Sequence, residues 1–277
     1  MVEDLSTFDF SSIDGKPSDI SDLWFNSYAS WANRGIQLSH YSDPGPDKSK
    51  IDLYKKYGWL DKDGSVKFIT YGNYEYGFRT PLISKESLVV CGCSNTFGTA
   101  LNIEQTWGYK LAKELDLPLV NLALPGASSD QVYRIVKTFL PKLNPKYIAC
   151  LMPDATRHEF FFRNWIDHES EGIKDSNIQP RSANLNTFEK KKAKKWLNFY
   201  KYAEEYMNKN CSTLEYQLSN YNRNIDAIKG IYNSSYFLSS QEYMNKGNQN
   251  SLARDLRHFG ENWHSMIAKD FLKLIKK

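Results

Sequence analysis

The stretch Val89-Val90-Cys91-Gly92-Cys93-Ser94-Asn95-Thr96-Phe97-Gly98 constrains the fold more than any other part of the chain. An apolar, β-favouring run from Leu88 to Cys91 stops at a glycine, and a serine follows two positions later. Small and polar residues then lead to a second glycine. This is the pattern of a buried parallel strand that ends at its carboxyl edge, where open α/β sheets place their ligands. Ser94 is the residue that such an edge presents.

The same alternation recurs downstream. Thr106 can cap a helix in which Trp107, Leu111 and Leu115 follow at i, i+4 and i+8, and Pro118 closes it. Leu119 to Leu124 reads as the next strand, and Pro125-Gly126-Ala127-Ser128-Ser129-Asp130 as a second strand-to-helix loop, with Ser128 or Ser129 as cap. Val132, Ile135, Val136 and Phe139 share one helix face, closed off by Pro141, and Tyr147 to Met152 is a third buried strand. Strand and helix in alternation with short connections predict an α/β fold with a parallel sheet and right-handed crossovers. Thr213 to Lys229 reads as a further helix and Ser235 to Leu238 as a fourth strand. Trp263, Ile267, Phe271 and Leu274 mark the apolar face of a terminal helix.

Two regions lie outside this rhythm. Residues 1–80 read as an amino-terminal extension that packs on the core, with a short helix over Asp22 to Asn33, turn chemistry at Asp43 to Asp47, and a short strand over Val66 to Tyr71. Residues 81–277 then form the main domain, interrupted by a helical insertion at about 165–230. Within that insertion Ser170 to Thr187 is polar and loop-like, and Glu189 to Asn210 is basic and helical.

Composition excludes several classes. With 277 residues, 41% hydrophobic and 25% charged, the chain has the make-up of a soluble domain able to bury a sizeable core. It has no apolar run long enough to span a bilayer. The amino end, Met1-Val2-Glu3-Asp4, is acidic rather than a secretory signal, so residence in the cytoplasm where it is made, or assembly into a virion, is the expectation. Net charge of +4 does not argue for nucleic acid. The run Lys190 to Lys195 reads as a solvated helix face, with Glu204 and Glu205 on the same stretch. Cys91, Cys93, Cys150 and Cys211 lack zinc-ligand spacing and a disulfide framework.

A serine becomes a nucleophile when a base lies in hydrogen-bond reach and a third group orients that base. Asp255 and His258, three apart on a tight turn before the terminal helix, can meet at one point, the carboxylate holding one imidazole nitrogen while the other faces Ser94. The N–H groups of Ser94 and of the Gly126 loop follow what should be adjacent strands and can hold an oxyanion. Arg157, His158 and Glu159 follow a strand end, where they either touch substrate or form a solvated ion-pair cluster. His264 reads as a structural contact at the start of the terminal helix.

Together, Gly92-Cys93-Ser94-x-Thr96-x-Gly98, Asn121-Leu122-Ala123-x-x-Gly126 and Asp255-x-x-His258 resemble the SGNH (GDSL-type) hydrolase family. Gly77-Phe78-Arg79 and Glu104-Gln105-Thr106-Trp107 resemble a bacterial or phage branch of it. The resemblance runs from about Asn73 to Asp270, with an unmatched stretch between Arg163 and Ser235. It implies a flavodoxin-like three-layer α/β/α sandwich that hydrolyses esters, often acetyl groups on sugars, without metal or cofactor. It makes Ser94 the nucleophile, His258 the base, Asp255 its orienter and Gly126 an oxyanion donor. Two positions depart from the family pattern. Cys93 stands where an Asp is usual, and the third block, Pro153-Asp154-Ala155-Thr156-Arg157, lacks the family's oxyanion Asn. An ionised Asp154 cannot donate, which turns attention to Thr156 or Arg157. Asn95, Asp154 and Arg157 are the candidate substrate contacts. The expected partner is a small-molecule or glycan ester. The alternatives are an acyltransferase using the same triad, or a weakened sandwich with a binding or structural role.

Overall fold

The computed structural model describes residues 47–67, 69, 71, 78–163, 178–183, 205–206, 208–210, 213–246 and 251–277. The expected helix over Asp22 to Asn33 and the Gly77 end of the Gly-Phe-Arg motif lie outside the described residues, as does most of the basic stretch 189–210. In chain order the main elements are α1 (Ile51–Lys56), β1 (Glu86–Gly92), α2 (Ser94–Phe97), α3 (Trp107–Glu114), β2 (Leu119–Asn121), α4 (Ser129–Phe139) and β3 (Asn144–Met152). After these come β4 (His158–Arg163), β5 (Ile178–Ala183), α5 (Leu214–Ile231), β6 (Ser235–Ser239), α6 (Ser240–Lys246) and α7 (Glu261–Ile275).

The sheet is parallel throughout, in the order β2-β1-β3-β6. β1 is central, pairing Val90 with Asn121 on one side and Cys91 with Cys150 on the other. Its period-2 alternation divides the core. Val89 and Cys91 face a layer built by Val132, Ile135, Val136 and Phe139 of α4, joined by Ile228 of α5. Leu88 and Val90 face the opposite layer, where Trp107, Leu111 and Ala112 of α3 meet Trp263, Ile267 and Phe271 of α7. Trp107 stacks on Phe271 with ring centroids 4.7 Å apart. Helices on both faces of the parallel sheet that the strand–helix alternation predicts make a three-layer α/β/α sandwich.

Local chemistry sets the element boundaries. Thr106 caps α3 through the Tyr109 N–H, Ser128 caps α4 through Gln131, and Thr213 caps α5 through Tyr216. β2 is shorter than the apolar run Leu119–Leu124 suggests. The Asn121 side chain accepts from the Ala123 N–H at 3.0 Å and turns the backbone out of regular strand. Two ladder-like bonds to β1 persist beyond it, Leu122 N–H to Val90 at 2.9 Å and Leu124 N–H to Gly92 at 3.2 Å.

Two expectations are corrected. Of the expected strand over Val66 to Tyr71, the described residues Val66, Lys67, Ile69 and Tyr71 join no named strand, and residues 68 and 70 lie outside the described residues. Val66 makes an isolated bridge to Leu60, while Ile69 and Tyr71 are buried in the cluster with Phe97, Ala100 and Leu101, so their apolar character serves packing on the core. Within the polar stretch 170–187, residues 178–183 form β5, which pairs antiparallel with β4 from His158–Ala183 to Arg163–Ile178. Residues 47–71 otherwise cover the site edge, with Trp59 Nε1–H donating to Leu252 at 2.8 Å.

Candidate active site

Ser94 opens the single-turn helix α2 directly beyond β1 and is half-buried. The tight exit from the strand depends on Gly92. At φ +153° its hydrogen lies where a Cβ would sit 2.2 Å from Thr96 Oγ1 and 2.6 Å from the Leu151 carbonyl. Gly98, at φ +80°, ends α2 and gives its N–H to Ser94 O at 2.9 Å.

Arg79 clamps the far side of this turn. Its guanidinium is almost fully buried and donates to Phe97 O at 2.8 Å, to Gly98 O at 2.7 Å and to Leu101 O. It lies 4.6 Å from the centre of the Tyr71 ring, and Tyr71 Oη accepts the Ala100 N–H at 2.5 Å. Burial pulls the Arg79 pKa down to about 10, against the opposing pull of Tyr71 and Glu104. This clamp is a site feature that sequence reasoning missed. The Gly-Phe-Arg motif was visible, but nothing local indicated that the arginine would be buried against three carbonyls.

Asp255 and His258 meet as their spacing predicts. Asp255 Oδ2 lies 2.5 Å from His258 Nδ1, and Asp255 Oδ1 accepts the backbone N–H groups of Arg257 and His258, both at 3.0 Å. With Nδ1–H given to the carboxylate, Nε2 is left as the basic nitrogen. Burial pushes the Asp255 carboxyl up, but the His258 hydrogen bond and charge and the two backbone N–H groups outweigh it, and the group is held below the usual carboxylate range. The turn requires Leu256 at φ +56°, a left-handed conformation that costs a non-glycine residue about 1–2 kcal/mol. The strain is held by Leu256 N–H to Ala253 O at 2.9 Å and Ala253 N–H to His258 O at 2.9 Å.

This turn is fastened to the segment that follows Ser94. The Arg254 N–H donates to Ala100 O at 3.0 Å, and Ala253 and Leu256 pack with Phe97 and Ala100. Ser94 itself makes no hydrogen bond to His258 among the described residues. A longer separation is usual for such pairs before substrate binds.

His264, one turn into α7, locks the arrangement from behind. It is fully buried, and its Nδ1 accepts the Trp107 N–H at 3.1 Å, satisfying a donor at the start of α3. Burial, then the charges of Arg79, His258 and Lys110, hold its pKa down to about 3, although a hydrogen bond to the Phe259 backbone opposes them.

The second loop, at Gly126, is tied to the end of β1 by the Leu124–Gly92 bond. Gly126 is exposed in the turn, and its N–H makes no hydrogen bond among the described residues. The third loop departs from expectation. Both Thr156 donors, N–H at 2.9 Å and Oγ at 2.8 Å, are spent on Asp154 Oδ1, so Thr156 is not an available oxyanion donor in this arrangement. Asp154 is half-buried. Asn95 is buried beside Ser94, with Oδ1 unpaired among the described residues.

The cluster Arg157-His158-Glu159 divides. Glu159 is buried and held by a bidentate pair from Arg134, the shortest contact being 2.7 Å. Burial raises its pKa despite that partner. His158 is buried beside Asp130 and Asn220, and burial lowers its pKa. Arg157 alone stays half-buried at the site edge, its Nη1 reaching Ala127 O at 3.5 Å.

Among the described residues no cluster of His, Cys, Asp and Glu has metal-binding geometry, and no helix is long and apolar enough to cross a membrane. Cys91, Cys93 and Cys150 are buried free thiols, and contact with Cys91 together with burial pushes the Cys150 thiol well up.

No protein-family profile and no curated protein matches the sequence. Solved structures with a similar fold include the psychrotrophic esterase EstA from Pseudoalteromonas sp., in a form inhibited by monoethylphosphonate. It is 13% identical with a TM-score of 0.37, over 69% of this chain and 97% of that one. A member of the lipolytic G-D-S-L family from Veillonella parvula DSM 2008 is 9% identical with a TM-score of 0.34, over 70% of this chain and 100% of its own. A putative lipolytic protein of the same family from Desulfitobacterium hafniense DCB-2 is 12% identical with a TM-score of 0.34, over 69% and 99%. At such scores, no residue role and no activity is transferred from these proteins to this chain.

Proposed function

We propose that the protein is a serine esterase that hydrolyses an acyl ester through Ser94, His258 and Asp255. The observation that carries this reading is the 2.5 Å Asp255–His258 pair, on a turn bonded to the segment that follows Ser94. A half-buried serine at a parallel-sheet edge, with a carboxylate-held imidazole on a turn bonded to the segment that follows it, has the composition of an acyl-transfer site.

In this mechanism His258 Nε2 takes the Ser94 Oγ proton as the oxygen attacks the ester carbonyl. Asp255 holds the ring and stabilises the imidazolium. The N–H groups of Ser94 and Gly126 receive the oxyanion. His258 then gives the proton to the leaving alkoxide, and water, activated by the same ring, releases the acyl group from Ser94. The resemblance of the three sequence blocks to the SGNH family supports a small acyl group such as acetyl, on a carbohydrate, as the substrate class. A phage or bacterial setting, in the cytoplasm or on a virion, belongs to the same proposal.

Asp154, in place of a donor, favours a second reading, a weakened sandwich with a binding or structural role. Hydrolysis of p-nitrophenyl acetate decides between the two. Wild-type turnover should fall by on the order of 10⁴-fold in Ser94→Ala and in His258→Ala. A fluorophosphonate should label wild type and not Ser94→Ala. No labelling, or equal turnover in all three proteins, refutes the esterase reading. Product analysis with a sugar acceptor present separates hydrolase from acyltransferase.

A further inference from the structure

Three arginines near the carboxyl edge of the sheet, Arg79, Arg134 and Arg157, are held in different ways. Arg79 donates from its two terminal nitrogens to three carbonyls, and Arg134 forms a bidentate pair with Glu159. Arg157 is half-buried and, among the described residues, has no carboxylate partner; the side-chain hydrogen bond it makes there is the long contact to Ala127 O. Taking a guanidinium partly out of water with most of its donors unspent is costly, so this arrangement points to an acceptor that arrives with the substrate or forms from it, and an anion fits the charge.

Topology limits where that anion sits. β1 lies between β2 and β3, so Ser94 emerges between the Gly126 loop and the Arg157 turn. The guanidinium of Arg157 starts beyond β3 and reaches Ala127, one residue past Gly126, in the loop that follows β2. That loop is itself held against the end of β1, where Leu124 N–H is bonded to Gly92 O. The other groups of the third loop are committed, since Asp154 Oδ1 takes both Thr156 donors and an ionised carboxylate cannot donate.

Resting on the esterase reading, we infer that Arg157 supplies the side-chain donor and the positive charge that receive the oxyanion, beside the N–H groups of Ser94 and Gly126. A charged donor forms hydrogen bonds roughly twice as strong as a neutral one. Its charge also offsets the nearby Asp154 carboxylate, which by itself would oppose charge developing on the carbonyl oxygen. The chemistry gains no new covalent step. The negative charge formed by Ser94 attack rests against the guanidinium and returns to the carbonyl when the leaving group departs.

The test is steady-state hydrolysis of p-nitrophenyl acetate by wild type, Ser94→Ala, Arg157→Ala and Arg157→Lys, with urea unfolding of each protein as a folding control. For Arg157→Ala, kcat should fall on the order of 10²-fold with KM within about threefold of wild type. Arg157→Lys should retain an intermediate kcat. Millimolar guanidinium should restore part of the Arg157→Ala rate and leave Ser94→Ala unchanged, a response that a merely structural role would not give. Ser94-dependent turnover that Arg157→Ala leaves intact overturns this inference alone. So does a loss confined to KM, which would assign the guanidinium to an anionic group of the bound substrate. A wild type without Ser94-dependent turnover overturns the inference together with the esterase reading.

Discussion

His264 provides a direct test of how the site is held. Its ring is fully buried and accepts the Trp107 N–H, which requires a neutral imidazole, and its pKa is about 3 against an ordinary 6.5. A folded-state pKa below the unfolded value means that the unfolded chain takes up a proton the native protein refuses. The stability tied to this ring is therefore full above about pH 6.5 and is lost as pH falls from there towards 3. Between about pH 8 and pH 5 the linkage amounts to about 2 kcal/mol for this residue alone. In His264→Asn the amide oxygen can accept the Trp107 N–H but does not titrate. Its smaller volume costs stability at every pH, so that cost cancels in the pH difference. Urea unfolding of both proteins at the two pH values should show the wild type losing about 2 kcal/mol more than the variant. Equal losses would mean that His264 titrates alike in folded and unfolded protein, and would refute the buried acceptor role.

Two further predictions concern the turn that carries Ser94. Arg79→Met removes the donors to Phe97, Gly98 and Leu101 and leaves buried carbonyls unpaired, so urea unfolding should show a loss of about 2–4 kcal/mol. Unchanged stability would mean that the clamp is idle. Gly92→Ala puts a Cβ 2.2 Å from Thr96 Oγ1 and 2.6 Å from Leu151 O, at a φ that alanine resists, and should cost on the order of 3 kcal/mol. Adding Thr96→Ala should recover only part of that in thermal unfolding, because the Leu151 carbonyl cannot move aside. Full recovery would refute backbone crowding as the cause.

Much of the fold was legible in the chain. The alternation Leu88-Val89-Val90-Cys91 already implied a strand covered on both faces, and Trp263, Ile267 and Phe271 an amphipathic terminal helix, because side-chain direction follows backbone period. Thr106, Ser128 and Thr213 marked helix starts by the same local logic. Val66, Ile69 and Tyr71 suggested a strand because apolar residues buried against a core carry the same signal whether or not they pair in a sheet. The polar stretch around β5 carried no apolar signal, its residues being fixed by pairing with β4 instead.

For the site, the sequence by itself determined which groups are offered: a serine at a strand end, a carboxylate three residues before an imidazole, and a loop without an amide donor. Those follow from steric and hydrogen-bonding rules that act over a few neighbours. The tertiary structure decided what each group meets. It set Arg79 beneath the Ser94 turn, gave both Thr156 donors to Asp154, and brought Arg157 to the Ala127 carbonyl, one residue past Gly126. It also joined Trp107 to His264, which lie 157 positions apart. Contacts of that span depend on how the sheet orders its strands and on which buried polar groups find partners. No local window of sequence encodes either.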